Sequence, residues 1–419
     1  MKPDSVIARH SSRAHWLNPA RLRAYCATFL LACTIFVIHN AWFNWKKFGM
    51  PNGFDFSTFW AAARLTIEGR PLDAWSRDAL GRIALAISAK TPALAPWFYP
   101  PNFLLIVRPL GWLPCIVAYA LFSLGTTWIF VRLLRRVLPM HEAWLPMLGF
   151  TGLWLNIAQG QNGALTACFA LGALLLLPKR PVLAGICIAM LSIKPHLAIL
   201  FPVALACAGM WTAFFSAAVA TALFTGIAVA VFGVAAVPAF LHALTEANRY
   251  IAQGILPWNQ MASVFIALRM LHVPIGIAYA AQGLEALTAA VSVAWVWRRS
   301  HHHALRATAL VAGTFMVSPY IYNYDTVWLA IALALFASHS LCTGWLRGER
   351  EILVAVWLYP LAGPVCAHYL HLVIGPFAFG ALLFVAVRRT RHELATQDVS
   401  RIAAPSCALA THPVESYGR

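Results

Sequence analysis

The stretch YCATFLLACTIFVIHNAWF, residues 25–43, contains no Asp, Glu, Lys or Arg, and it is long enough to cross a membrane as one helix. No small-residue cleavage site follows it, so the sequence predicts an anchor that stays in the mature protein. Positive charge before a first span favours a cytoplasmic N-terminus. The basic residues that precede the stretch are Lys2, Arg9, Arg13, Arg21 and Arg23.

The composition of the whole chain also indicates a membrane protein. Hydrophobic residues make up 61% of the 419 residues and charged residues only 11%, too few to cover a soluble globule. We therefore expect an all-α integral membrane protein. The formal net charge of +17 comes largely from short basic clusters between apolar runs, which set topology and meet anionic lipids rather than nucleic acid. Most of the nine cysteines lie within apolar runs, without ligand spacing for zinc.

The apolar runs predict about twelve membrane-spanning helices with both termini in the cytoplasm. Residues 1–23 form the cytoplasmic N-terminal segment, 24–392 the membrane domain, and 393–419 a disordered cytoplasmic tail. Two long extracytoplasmic loops, about 44–111 and 233–274, are expected to carry helices lying along the membrane surface. The predicted spans are 25–43, 113–131, 143–157, 165–177, 182–193, 197–211, 213–232, 275–297, 304–317, 326–338, 352–369 and 371–387.

Polar residues at membrane depth are candidates for function, because lipid accepts them only at a cost. The segment NIAQGQNGAL places Asn156, Gln159, Gln161 and Asn162 at the outer end of a helical hairpin. They are either an ordinary polar turn or a group of amides that faces a ligand.

The segment AMLSIKPHLAIL carries a lysine inside an apolar run. Pro195 breaks the helix beside Lys194, and the freed backbone groups need a cavity or ligand. Lys194 either meets an anion there or extends its amine to the membrane surface. His196 either supports the same anion or is a hydrogen-bonded structural residue.

Aromatic segments collect on the same predicted side of the membrane, as FYPPNF (98–103), PWNQM (257–261) and SPYIYNYDTV (318–327). They form either an aromatic belt at the interface or a wall against which a sugar ring or prenyl chain packs. The expected substrate contacts are Tyr99, Gln159, Gln161, Asn162, Asn259, Gln260, Tyr322, Asn323 and Asp325.

Asp55 lies just beyond the first span, in NGFDFSTFWAAARLTIEGRPLDAW (52–75). Phe56, Phe59, Trp60 and Ala63 follow it at helical spacing, so Asp55 is either the N-cap of a surface helix or a reactive carboxylate. The consecutive histidines 301–303 do not predict a metal site, because consecutive residues on a helix point in different directions.

The motifs together resemble glycosyltransferase family 87, whose members use polyprenyl-phosphate mannose as the donor. The resemblance rests on Asp55, FWAAARLTIEGRPLDAW, YPP, GQN, AGICIAMLSIKP and the late NYD, in this order from about residue 53 to 325. It implies a GT-C-type multispanning helical bundle in the inner (plasma) membrane. It also implies an inverting enzyme without an obligatory metal or other cofactor, whose active site is extracytoplasmic.

The resemblance assigns roles to individual residues. Asp55 matches the catalytic aspartate of the family, which takes the proton of the acceptor hydroxyl. Lys194, helped by His196 and by Arg64 or Arg249, would hold the leaving phosphate, and Asp325 is the reserve base. The implied partners are a polyprenyl-phosphate sugar, an acceptor hydroxyl on a glycan, glycolipid or other molecule, and membrane lipids.

Two other functions fit the sequence. Glu285 in AAQGLEALTAA is an acid inside a predicted span, as in a proton-coupled secondary transporter of a small or lipid-linked solute. A non-catalytic, flippase-like or scaffold protein for lipid-linked glycans is the third possibility.

Overall fold

The computed structural model describes residues 16–50, 52–87, 90 and 95–403. These residues are mostly helical and contain no strand, which confirms the all-α prediction, and the only bridge among them joins Met261 and Tyr322. The helices are α1 (Pro19–Phe48), α2 (Phe54–Ile67), α3 (Arg77–Ile87), α4 (Pro101–Val107), α5 (Cys115–Val137), α6 (Trp144–Leu148), α7 (Thr151–Gln159), α8 (Gly163–Leu176), α9 (Pro181–Met190), α10 (Pro195–Ala198), α11 (Leu200–Cys207), α12 (Trp211–Phe232), α13 (Ala236–Ala252), α14 (Val264–Met270), α15 (Ile275–Arg299), α16 (His303–Val317), α17 (Leu329–Thr343), α18 (Glu349–Tyr369) and α19 (Gly375–Ala403).

Six helical segments of the described chain are long and apolar enough to cross a membrane. Four shorter apolar segments lie among them: Gly163–Leu176, Pro181–Ile193, Pro195–Cys207 and His303–Val317. The expected total of about twelve crossings therefore stays a prediction, as does the GT-C architecture. The six candidate spans are Pro19–Phe48, Cys115–Val137, Trp211–Phe232, Ile275–Arg299, Asn323–Thr343 and Glu349–Tyr369.

The outermost helices expose apolar side chains where a soluble protein would carry polar ones. Ile38 of α1 is 64% exposed and Leu223 of α12 is 62% exposed. In contrast, most of α17 is buried, and it packs against α16 in the centre of the bundle. A rim of exposed Leu, Ile and Phe around a buried centre is the pattern of a helix bundle surrounded by lipid. The chain is a membrane protein.

Small residues allow the inner helices to approach closely. A Cβ on Gly185 of α9 would lie 2.6 Å from Ser216 Cβ of α12. A Cβ on Gly313 of α16 would lie 2.5 Å from Val293 Cγ2 of α15. Close backbone packing at small residues is how helices associate in lipid, where water does not drive them together.

One predicted span is interrupted in the structure, and a second break falls between two predicted spans. Residues 143–157 form α6 and α7, which are separated at Gly149 and Phe150. Between α9 and α10 the chain makes a 3-10 turn, Leu191–Ile193, and Pro195 then begins α10. The predicted break at Pro195 is confirmed, and it leaves Lys194 between two helices rather than on the face of one.

Both long loops carry short helices: α2, α3 and α4 in the first, and α13 and α14 in the second. Their position along the membrane surface stays a prediction.

Near the C-terminus, α19 continues through Glu393 to Ala403, so the predicted disorder of 393–419 is wrong up to Ala403. Residues 1–15 of the predicted cytoplasmic segment and residues 404–419 of the tail lie outside the described chain.

Candidate active site

The GQN turn after α7 presses directly against the beginning of α2. Gly160 adopts the left-handed conformation with φ 71°, and a Cβ on it would lie 2.7 Å from Phe56 Cβ and 2.8 Å from Gly53 Cα. The Gly53 N–H donates to the Ala158 carbonyl over 3.0 Å. Only glycine fits Gly160, because a larger residue would push the turn away from α2.

This close approach joins Asp55 to Gln161. Asp55 lies in the first turn of α2, and its Oδ2 accepts a hydrogen bond of 2.8 Å from Gln161 Nε2. The N-cap position of α2 belongs to Gly53, which makes no side-chain capping bond, so the structure does not use Asp55 as an N-cap. The positive end of the α2 dipole favours a negative charge at this position.

Gln161 is itself oriented by an aromatic residue of the first loop. The Tyr99 hydroxyl donates to Gln161 Oε1 over 3.2 Å, which leaves the Gln161 amide nitrogen directed at Asp55. Tyr99 packs on Phe103, with ring centroids 4.8 Å apart, and on Phe59. Three of the expected site residues thus form one chain of hydrogen bonds.

Lys194 and Asp325 form a buried ion pair beside this chain. Lys194 Nζ donates to Asp325 Oδ1 over 2.7 Å, and the two residues are 5% and 0% exposed. The ammonium also lies 4.6 Å from the ring centroid of Tyr324 and 6.0 Å from that of Tyr99. Asp325 Oδ2 is buried and has no hydrogen-bond partner.

The pair corrects two expectations from the sequence. Lys194 does not extend its amine to the membrane surface, and its first anionic partner is a carboxylate of the same chain. Asp325 is accordingly the counter-charge of Lys194 rather than an isolated reserve base. The physical reason is that an unpaired ammonium in a low-dielectric interior is strongly unfavourable.

Asp55 and Lys194 belong to one electrostatic cluster, although 139 positions of the sequence separate them. Burial raises the pKa of the Asp55 carboxyl above its ordinary value, while the Gln161 hydrogen bond and the charge of Lys194 lower it part of the way. Asp55 nevertheless remains partly exposed. A carboxylate that is more basic than usual and still reachable is suited to accept a proton.

Stacked tyrosines border the cluster. The rings of Tyr322 and Tyr324 are 5.1 Å apart and nearly parallel. Asn323 Nδ2 donates to the Asn259 carbonyl over 3.4 Å, and the Ala262 N–H donates to the Ile321 carbonyl over 2.9 Å. The PWNQM segment is therefore brought to the NYD segment, as the sequence predicted.

The remaining expected residues differ in burial and in hydrogen-bond partners. Gln159 and His196 are partly buried, and each has a side-chain atom without a hydrogen-bond partner, Oε1 and Nε2 respectively. Gln260 follows Asn259, whose side chain contacts His368 Nδ1 over 3.0 Å. Asn162 is buried beside Tyr99.

Arg64 is not brought to the cluster. It lies nine positions after Asp55, about 13 Å along α2. Its guanidinium donates to the Gly111 carbonyl over 3.2 Å and lies 3.7 Å from Glu68. Arg64 therefore fixes the end of the first loop instead of contacting a phosphate near Lys194.

Two polar groups near the site were missed from the sequence. Asn102 Nδ2 donates over 2.7 Å to Ser192 Oγ, two residues before Lys194. Asn52 Oδ1 accepts over 2.8 Å from Asn40 of α1, which fixes the segment that precedes Asp55. Both asparagines stood inside segments that the sequence had marked, but short polar residues in loops are too common to be selected without coordinates.

A largely apolar cavity of about 360 Å³ lies beside the helix break. Its lining includes Ser192, two residues before Lys194, and Pro195, the residue after it, and α12 closes the cavity. Pro195 and Ile199 are exposed, so the cavity reaches the surface of the bundle. Its lining residues are Ile188, Ser192, Pro195, Ala198, Ile199, Pro202, Leu205, Phe214, Ala217, Ala218 and Thr221.

Glu285 of α15 is surrounded by hydrogen-bonding groups of the same chain. It lies beside the Gln282 amide and the Val264 backbone N–H, at the beginning of α14. Gln282 accepts from the Phe265 N–H over 3.0 Å and donates to the Met316 carbonyl over 2.8 Å. The Gln282 contacts satisfy the backbone where α14 begins and α16 ends, and Glu285 lies next to this junction.

The fold and site define a multispanning membrane protein with a polar site at one end of its helix bundle, where a carboxylate and a lysine lie together. The chain belongs to glycosyltransferase family 87, because the sequence model of this family matches residues 97–319, more than half of the chain. The protein is therefore a glycosyltransferase. Asp55 and Asp325 lie outside the matched range, one on each side of it. No curated protein and no solved structure matches the chain.

Proposed function

We propose that the protein transfers a sugar, mannose first among the donors to test, from a polyprenyl phosphate to an acceptor hydroxyl, with inversion. The observation that carries the proposal is the single cluster that joins Asp55, Gln161 and Tyr99 to Lys194 and Asp325. It combines the two groups that the reaction needs, a base for the acceptor and a cation for the leaving phosphate.

Asp55 is the proposed general base. The acceptor oxygen attacks the anomeric carbon of the sugar, and its proton passes to the Asp55 carboxylate as the new bond forms. Gln161 donates a hydrogen bond of 2.8 Å to Asp55 Oδ2, so we propose that the proton of the acceptor passes to Oδ1. The raised pKa of Asp55 improves its basicity, and its partial exposure admits an acceptor from the aqueous side.

Lys194 is the proposed ligand of the phosphate that leaves. The bond from the anomeric carbon to the phosphate oxygen breaks, and its electron pair stays on the phosphate. An ammonium has three N–H donors, and Asp325 accepts from Lys194 through one oxygen, Oδ1. The remaining donors are available to a phosphate, while Asp325 keeps the amine charged and in position.

The surroundings fit a donor that is part lipid and part sugar. The cavity beside Pro195 offers an apolar path for the prenyl chain from the bilayer towards Lys194. The stacked Tyr322 and Tyr324 rings offer a surface for the sugar or acceptor, with Gln159, Asn162, Asn259 and Asn323 as nearby amides. The proposed mechanism uses no metal.

The proposed location is the inner (plasma) membrane, with both termini cytoplasmic and the site outside. Arg135 and Arg136 end α5, and Arg298 and Arg299 end α15, at the ends of these helices that the positive-inside rule assigns to the cytoplasm. Reporter fusions to each terminus, together with labelling of a cysteine introduced at Asp78, test this orientation. A cytoplasmic position for residue 78 would reverse it.

Asp55→Asn is the direct test, because it preserves shape and removes the base. Purified protein in nanodiscs is incubated with a panel of labelled polyprenyl-phosphate sugars and an acceptor extract from the same membranes. We expect transfer to fall by about 10²–10⁴-fold, the usual contribution of a general base. Asp78→Asn, an exposed acid of the same loop, is the matched control and should retain full activity. Normal transfer by a folded Asp55→Asn protein would refute the assignment.

A further inference from the structure

Three metal-ligating side chains meet at the end of the bundle opposite to the candidate active site. His302 lies just before α16, His339 lies near the end of α17, and Glu393 lies on α19. α17 begins just after Asp325 and runs 15 residues, which separates the two ends by about 22 Å. These three residues, here called the distal cluster, are therefore independent of the transfer chemistry.

The ligand atoms of the distal cluster converge. His339 Nε2 lies 2.6 Å from Glu393 Oε1, and His302 Nε2 lies 3.3 Å from Glu393 Oε2. The nitrogen of each ring and one carboxylate oxygen all lie within 4.8 Å of one another. Only one of the three consecutive histidines takes part, as expected for side chains that point in different directions.

We propose that the distal cluster binds one divalent transition-metal ion, with zinc as the best candidate. Two imidazole nitrogens and one carboxylate are a ligand set that zinc accepts, with water as the fourth ligand. Tetrahedral ligands at about 2.0–2.1 Å from zinc are roughly 3.3 Å apart, so separations of up to 4.8 Å have to shorten by up to about 1.5 Å, and the contact of 2.6 Å between His339 and Glu393 has to lengthen. His302 has the freedom to supply this movement, because its side chain is 43% exposed and it lies in a connecting segment.

The residues around the distal cluster hold its carboxylate in place. Arg389 Nε donates to Glu393 Oε1 over 2.8 Å, whereas the buried Oε2 has no hydrogen-bond partner and faces His302. Arg389 also contacts the fully buried Glu349, which balances the positive charge of the guanidinium. Outer-shell contacts of this kind orient a metal ligand before the ion arrives.

Binding would replace the hydrogen bond between His339 Nε2 and Glu393 Oε1 by bonds from both atoms to the ion. The ion would then tie α16, α17 and α19 together at the distal end. This is a structural site: it stabilises the bundle and contacts no substrate.

The test uses the full-length protein, purified in detergent with a chelator and then freed of it. Zinc binding is measured by competition with a chromophoric chelator, and Co²⁺ is added separately to obtain a ligand-field spectrum. We expect one equivalent of zinc, a tetrahedral Co²⁺ spectrum and a zinc-dependent rise in melting temperature. His302→Ala should weaken zinc binding by about 100-fold or more and abolish all three signals, since loss of a ligand exceeds the usual outer-shell effect.

His301→Ala is the matched control, because it removes the adjacent, exposed histidine and leaves the cluster intact. Glu393→Gln should also lose the metal, and the Co²⁺ spectrum reports this loss even if the variant is less stable. Equal zinc affinity in the His301→Ala and His302→Ala proteins would overturn the proposal. So would the absence of zinc binding by the wild type, which would leave the cluster a proton-bridged ion pair only.

Discussion

The ion pair of Lys194 and Asp325 makes a quantitative prediction about stability. At 2.7 Å, two unit charges attract each other by about 6 kcal/mol at an effective dielectric constant of about 20. Desolvation offsets much of this attraction, but removing one partner alone leaves an uncompensated buried charge. We therefore expect Lys194→Met and Asp325→Asn each to lower the free energy of unfolding by about 3–5 kcal/mol.

The double variant separates this explanation from simple loss of packing. With both charges gone, no buried charge is left unpaired, so the double variant should be more stable than either single variant. The assay is reversible unfolding in mixed micelles, followed by tryptophan fluorescence. Lys179→Met, at an exposed lysine in the turn after α8, is the control and should cost less than about 0.5 kcal/mol. Additive losses in the double variant would refute the reasoning, because they would mean that the two charges do not compensate each other.

Further predictions concern the turn that orients Asp55. Gln161→Leu removes a hydrogen bond to a charged group and should slow transfer by about 10–100-fold, measured with saturating donor. Because the deprotonated base is active, transfer should be lost as the pH falls through the raised pKa of Asp55, and Gln161→Leu should move this loss to higher pH by removing an influence that lowers the pKa. A pH profile that is the same in both proteins would contradict this. Gly160→Ala should destabilise the protein by about 1–3 kcal/mol through its positive φ and its clash with Phe56. Gly209→Ala has a similar φ of 68° but open space around its Cβ, so it should cost less.

Much of the site was predictable because lipid makes polar residues conspicuous. Lys194 stood out within an apolar run, and Pro195 marked a break that the structure confirms. Asp55 and Gln161 lie 106 positions apart, yet both were selected because each stands at the end of an apolar run on the same predicted side. Residues that stand out in this way gather at one end of the bundle, since the bilayer leaves few other places for them.

Pairing was not predictable from the sequence. Nothing in the local pattern indicated that Lys194 binds Asp325 rather than facing an open site, because this contact depends on how the segment before α10 packs against the turn before α17. The same reason applies to the predicted phosphate contact of Arg64. Its place in the first loop did not indicate that its side chain contacts Glu68 and the Gly111 carbonyl. The sequence identifies which residues are out of place in lipid, and tertiary packing decides which of them meet.

Under the proposed function, the unequal exposure of Lys194 and Asp55 would allow one site to serve two unlike substrates. Lys194 is 5% exposed, and the neighbouring Ser192 and Pro195 line the apolar cavity that we propose as the route of the prenyl chain. Asp55 is partly exposed and lies at the beginning of a short helix, which is where we propose that the acceptor hydroxyl binds. Tyr99 links the two groups, because its hydroxyl donates to Gln161 and its ring centroid lies 6.0 Å from the Lys194 ammonium. Pro195 ends the helix beside Lys194, so the amine can turn to Asp325 and, under the proposed function, to a phosphate as well.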